Sequence, residues 1–88
     1  MTTEMTKLAT LLAKANIPYQ LVIQPLYETP QIIIPNEEER TMDIICHKYS
    51  YGGNKGLLEI MGITNEYDNV IGWLTAKECY ALIKKEVA

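Results

Sequence analysis

The sequence predicts an α+β fold: an N-terminal helix, a five-stranded, mostly antiparallel meander sheet and a C-terminal helix, in a single domain over residues 1–88. Three observations predict it. Apolar residues recur at helical spacing only near the two ends of the chain. Between them lie short runs that alternate in polarity or are rich in β-branched and aromatic side chains. The connections joining those runs are turn-forming and too short to hold the crossover helices that parallel strands require.

The first helix is expected from Thr3 to Ala15, with Met5, Leu8, Leu12 and Ala15 on one stripe, and Asn16 and Pro18 end it. Tyr19 to Gln24 alternates, so Tyr19, Leu21 and Ile23 face one side and Gln20, Val22 and Gln24 the other. Pro25 and Pro30 bracket a connection to a second strand, Gln31–Ile34, which stops at Pro35 before the turn Asn36-Glu37-Glu38-Glu39-Arg40. A third, longer strand is expected from about Thr41 to Tyr51, followed by a flexible hairpin, Gly52-Gly53-Asn54-Lys55-Gly56, and a fourth strand, Leu57–Met61. After a polar loop from Gly62 to Asn69, Val70–Leu74 reads as a fifth strand with a bulge at Gly72. Thr75-Ala76-Lys77-Glu78 fits a capping box. The helix that it opens should turn inward Cys79 or Tyr80, then Ile83 and Val87, and Lys84 and Lys85 suit its C-terminal dipole.

Composition narrows the function. A chain that is 48% hydrophobic and 22% charged is globular rather than disordered or fibrous. A net charge of −3 supplies no basic surface for a phosphate backbone, which argues against nucleic acid as a partner. The longest apolar stretches, Leu21-Val22-Ile23 and Ile32-Ile33-Ile34, cannot cross a bilayer, and Met1-Thr2-Thr3-Glu4-Met5 lacks the basic and apolar regions of a secretion signal. The expectation is a cytoplasmic protein with no membrane partner. Cys46 and Cys79 fit neither a CxxC redox pair nor a zinc knuckle and are expected as free, buried thiols.

Leu57-Leu58-Glu59-Ile60-Met61-Gly62, followed after an acidic loop by Asp68-Asn69-Val70-Ile71-Gly72-Trp73-Leu74-Thr75-Ala76-Lys77-Glu78, resembles a group of small uncharacterised proteins from phages and prophages of Gram-positive bacteria. Ile34-Pro35-Asn36 and Ser50-Tyr51-Gly52 would be counterparts of an IPN-like turn and an SYG-like segment in that group. The resemblance touches most of the chain and implies a phage origin; it brings no catalytic assignment. The matching residues are explained as fold determinants: Gly62 and Gly72 as bends, Trp73 as core or sheet cover, Thr75 and Glu78 as a cap.

Several chemistries can be weighed. Cys46 beside His47 suggests a nucleophile and base, but adjacent residues of a strand point to opposite faces. Gly52–Gly56 could cradle an anion, although no Walker spacing is present. Glu37, Glu38 and Glu39, with Glu28 and Asp43 near in sequence, could form an acidic patch that docks on a basic host protein. No catalytic residue, metal site or cofactor is assigned.

The most informative stretch is the third strand, where His47, Tyr49 and Tyr51 share a face opposite Met42, Ile44, Cys46 and Lys48. With Met42, Ile44 and Cys46 against the helices, the reverse side collects Val22, Ile33, Ile45, His47, Tyr49 and Tyr51 as interface candidates, with Leu57 and Met61 nearby. Large apolar patches are rare on monomers. Three arrangements would cover this one: the helices lie on opposite faces, a second copy makes a homodimer or other homo-oligomer, or a host or phage protein binds there. The expected function is accordingly a non-enzymatic phage or prophage accessory protein acting through self-association or protein–protein binding on a sheet face. The rivals are a small enzyme or ligand-binding protein using His47 and the nearby tyrosines, and an acidic inhibitor of a host nucleic-acid-binding protein.

Overall fold

Helix α1 (Thr3–Lys14) buries Met5, Leu8 and Leu12, the stripe that the spacing predicts, whereas Ala15 lies exposed just past its end. Its terminus is a Schellman motif: Ile17 N–H donates to Leu12 O at 3.0 Å and Asn16 N–H to Ala13 O at 3.2 Å. Asn16 makes the turn at φ 57°, in the left-handed region that Asn tolerates better than most residues. The computed structural model describes residues 3–63 and 70–87, so most of the polar loop expected between Gly62 and Asn69, residues 64–69, lies outside the described residues.

Helix α2 (Ala76–Val87) opens on the predicted capping box, in which Glu78 N–H donates to Thr75 Oγ1 at 3.2 Å and Thr75 N–H to Glu78 Oε1 at 2.9 Å. Cys79 and Ile83 are buried, Tyr80 packs half-buried against the core, and Val87, expected inward, is exposed. A second cap comes from far away in sequence. Glu4 Oε1 of α1 accepts the Ala76 N–H at 2.9 Å, satisfying a first-turn amide that has no partner within its own helix.

The strands are β1 (Gln20–Gln24), β2 (Thr29–Ile34), β3 (Met42–Ile45), β4 (Leu58–Met61) and β5 (Val70–Leu74), with a short 3₁₀ turn at Gly53–Lys55. They form one sheet in the order β1-β2-β3-β4-β5, and each neighbouring pair is antiparallel. The expected bulge is present: Leu58 stands opposite Leu74 and Ile60 opposite Ile71, so β5 carries one residue more than β4 over this stretch. Trp73 takes up the extra residue at φ 61°; it is exposed rather than part of the core. The third strand is shorter than its alternation predicts and ends at Ile45, for reasons that lie in the turn after it.

Both helices lie on the same side of the sheet. Met5, Leu8 and Leu12 of α1 and Cys79 and Ile83 of α2 join Ile32, Ile34, Met42, Ile44, Cys46, Leu58, Ile60 and Leu74 in one buried cluster, and the two helices pack against each other. This excludes the arrangement in which they cover opposite faces. The cover stops short of the β1 edge, where Leu21 and Ile23 point to the helix side yet remain 45% and 61% exposed. Among the described residues, no helix is long and apolar enough to cross a membrane.

The caps predict a pH response. The Ala76 amide, with a smaller contribution from Lys7, holds the Glu4 carboxyl below the ordinary 4.5, and the Thr75 amide does the same for Glu78. Carboxyls depressed in the folded state stabilise it fully above their unfolded value, and that contribution is lost as pH falls through the folded value. Glu4→Ala should cost about 1 kcal/mol at neutral pH, a fall of roughly 4–8 °C in Tm for a domain of this size. The deficit should shrink on acidification below 4.5. Thermal melts of both proteins across that range check this, and an unchanged neutral-pH Tm would show that the Glu4–Ala76 contact carries no stability.

Candidate functional site

The face away from the helices is set by register. One cross-strand row reads Gln20, Ile33, Asp43, Met61, Val70; the next reads Val22, Gln31, Ile45, Glu59; a third pairs Gln24 with Thr29. Polar and apolar residues therefore interleave, and the expected apolar patch is divided by Gln31, Asp43 and Glu59. Gln31 Nε2 donates to Asp43 Oδ2 at 2.7 Å, and Arg40 Nη1 lies 3.6 Å from the same oxygen. Gln31 is buried, and this bond to a carboxylate offsets the cost of removing its amide from water. Ile33 is fully buried although it lies outside the main core cluster, and Val22 and Ile45 are half-buried.

His47, Tyr49 and Tyr51 follow the end of β3 instead of continuing it. Ser50 Oγ donates to His47 O at 2.8 Å and accepts from His47 N–H at 3.0 Å, while Ser50 N–H also reaches His47 O at 3.0 Å. These local bonds take the backbone groups through which His47 would have extended the ladder. The turn closes because residue 53 is glycine: a Cβ there would overlap His47 O and Ser50 Oγ.

The turn sorts the aromatics into two places. The His47 ring stacks on Tyr27, from the β1–β2 connection, at 4.0 Å between centroids and 23° between planes. Tyr49 joins them at 5.6 Å from Tyr27 and 6.4 Å from His47, and its N–H donates to His47 Nδ1 at 3.1 Å. Tyr27, His47 and Thr29 line one shallow cavity. Sequence reasoning missed Tyr27, whose place beside His47 depends on the β1–β2–β3 register rather than on any local pattern.

Tyr51 sits elsewhere, against the sheet's far strands. Its N–H donates to Glu59 Oε1 at 2.9 Å, its carbonyl accepts Trp73 N–H at 3.1 Å, and a Cβ on Gly72 would overlap Tyr51 Cβ. Of the six expected interface residues, Val22, Ile33 and Ile45 thus lie in the rows of the helix-free face, with Tyr51 over its β4–β5 side. His47 and Tyr49 gather at the end near Thr29. Tyr49, Tyr51 and Met61 stand open to solvent there, at 68%, 57% and 44%.

The rival chemistries find little support in this geometry. Cys46 is buried with Sγ 3.9 Å from Gly53 O, and Cys79 is buried with its thiol pushed up to about 12, so neither sulfur is open to a substrate beside His47. The amides of Gly53, Lys55, Gly56 and Leu57 are all spent on internal carbonyls, so these four are not free to cradle an anion. Among the described residues, no three His, Cys, Asp or Glu side chains group as a metal site. The acidic residues divide: Glu28 sits in the β1–β2 turn, Glu37–Glu39 in the β2–β3 connection at the opposite end of the sheet, and Asp43 is engaged by Gln31 and Arg40.

Two outcomes check this site. Ser50→Ala, which strips both side-chain bonds from a buried turn, should cost about 1–3 kcal/mol in urea unfolding and shift the amide resonances of residues 47–51; an unperturbed turn would contradict the geometry. Both thiols should resist alkylation at about pH 8 in the native protein and react at once in denaturant. Rapid native labelling of Cys79 would refute its burial.

Comparison with protein-family models, with curated proteins and with solved structures returns no match.

Proposed function

We propose that this chain is a non-enzymatic accessory protein, working in the cytoplasm of a Gram-positive host in the phage or prophage setting that its sequence resemblance implies, and that it binds a host or phage protein through the helix-free face of its sheet. The carrying observation is the one-sided helix layer, which leaves Tyr49, Tyr51 and Met61 exposed around a hydrogen-bonded frame of Gln31, Asp43 and Glu59. Aromatic and methionine anchors set among satisfied polar groups are the composition of a protein–protein contact rather than of a core awaiting a lid.

The partner's chemistry follows from the margin. Glu37 N–H donates to Gln20 Oε1, so the exposed Glu37–Glu39 turn flanks the Gln20 end of this face. A complementary surface would have an apolar centre and a basic rim, and its association should slow as salt screens the rim.

A photo-crosslinking amino acid placed at Tyr51, expressed in a Gram-positive host, should yield one discrete protein adduct that Tyr49→Ser with Met61→Ser abolishes. The same probe at Lys77, exposed on α2, should yield none. Equal adducts from both sites, or none from Tyr51, would overturn the reading. Turnover in a hydrolase and nuclease screen that vanishes in His47→Ala would favour the enzyme rival instead.

A further inference from the structure

β1 is an edge strand, and its backbone polarity can be worked out from its neighbours. Pro30 has no N–H, so the Ile23–Pro30 pair cannot exchange two hydrogen bonds. On β2, Ile34 O accepts Thr41 N–H from the β3 side, so by alternation Ile32 and Pro30 also direct their polar groups toward β3, while Gln31 and Ile33 direct theirs toward β1. Val22 and Gln20, opposite Gln31 and Ile33, therefore bond inward to β2. The N–H and C=O of Leu21 and Ile23 point outward at the open edge.

The side chains of the same strand read Gln20-Leu21-Val22-Ile23-Gln24, which is nearly symmetric about Val22. We propose that two copies pair antiparallel through β1 about a two-fold axis at Val22, extending the sheet across both protomers. This register opposes Leu21 to the second copy's Ile23, both with outward backbone groups, and so gives four inter-chain hydrogen bonds; Val22 meets its own equivalent as a non-bonded pair. A dyad midway between two residues would oppose an outward group to an inward one and make none.

Three further features fit a second copy. Leu21 and Ile23, 45% and 61% exposed on the helix side, would each oppose the other's counterpart in the second copy, making two apolar cross-strand pairs related by the axis. On the other side, Gln20 would oppose the second copy's Gln24. Gln20 Oε1 is taken by Glu37 N–H, which leaves its Nε2 to donate across the axis. Pro18 and Pro25 flank the strand and confine pairing to these five residues, favouring a closed dimer over open-ended stacking. An interface this short belongs to the small class, so association in the micromolar range is the expectation.

This inference stands on the β1 edge and not on the helix-free face, and the test separates the two. Light scattering after size exclusion at high micromolar concentration should give twice the chain's 10.0 kDa for the wild type and the single mass for Ile23→Lys, with far-ultraviolet circular dichroism confirming that the variant is folded. Val22→Cys should oxidise to a disulfide-linked dimer at least tenfold faster than Ile23→Cys, because only position 22 meets itself across the axis; the buried native thiols stay out of the reaction. A strict monomer, or equal oxidation rates, would overturn the β1 dimer while leaving the Tyr51 crosslinking result untouched. A dimer that survives Ile23→Lys but dissociates with Tyr51→Ser would overturn it in favour of self-association through the helix-free face.

Discussion

The placement of two helices on one side of a five-stranded meander is the constraint from which the other features follow. Four inter-strand spacings span about 19 Å, and two helices packed side by side at about 10 Å between axes cover a similar width. One layer of helices can therefore bury nearly one whole face and has nothing left for the other. The Glu4 carboxylate on the Ala76 amide couples the two helices at their N-terminal ends, so that the layer is held by a charge-assisted bond as well as by the packing of Leu8, Leu12 and Ile83. Where the layer runs out, at β1, apolar side chains that belong to the core side stand in water.

The uncovered face does not resemble a core cut open. Its rows set Ile33 between Gln20 and Asp43, and Gln31 between Val22 and Ile45, and Gln31 hydrogen-bonds to Asp43 across them. Ile33 is fully buried in its row although neither helix lies on this side of the sheet. Such a surface can live in solvent without presenting a continuous apolar patch, and it still holds exposed anchors in Tyr49, Tyr51 and Met61. Stability of the free protein and readiness for a partner are thus met by the same arrangement.

Features set by local chemistry were legible in the sequence. The Thr75–Glu78 box and the left-handed Asn16 each depend on residues within a few positions of one another and are present as expected, and the bulge expected at Gly72 is present with its neighbour Trp73 taking the extra residue. What local chemistry does not encode was not legible. Alternation alone carries β3 through Tyr51, because Tyr49 and Tyr51 suit a strand; it ends at Ile45 because Ser50 captures the His47 backbone and only Gly53 lets that turn close. Which side the helices take depends on how the chain wraps, and both faces of the third strand hold apolar residues. The site divides in the same way: Val22, Ile33 and Ile45 were placed by period-two reasoning, whereas the Tyr27–His47 stack depends on register.

The helices cover one face and leave the other open, and three methionines report on this from different depths. Met5 lies under the helix layer at 1% exposure, Met42 on the covered side of β3 at 4%, and Met61 on the open face at 44%. With the methionine methyl groups labelled with ¹³C, a soluble paramagnetic chelate added to dilute protein should broaden the Met61 resonance strongly and leave Met5 and Met42 sharp. Protection of Met61 to the level of Met42 would mean that something covers the second face, and the one-sided account would be wrong.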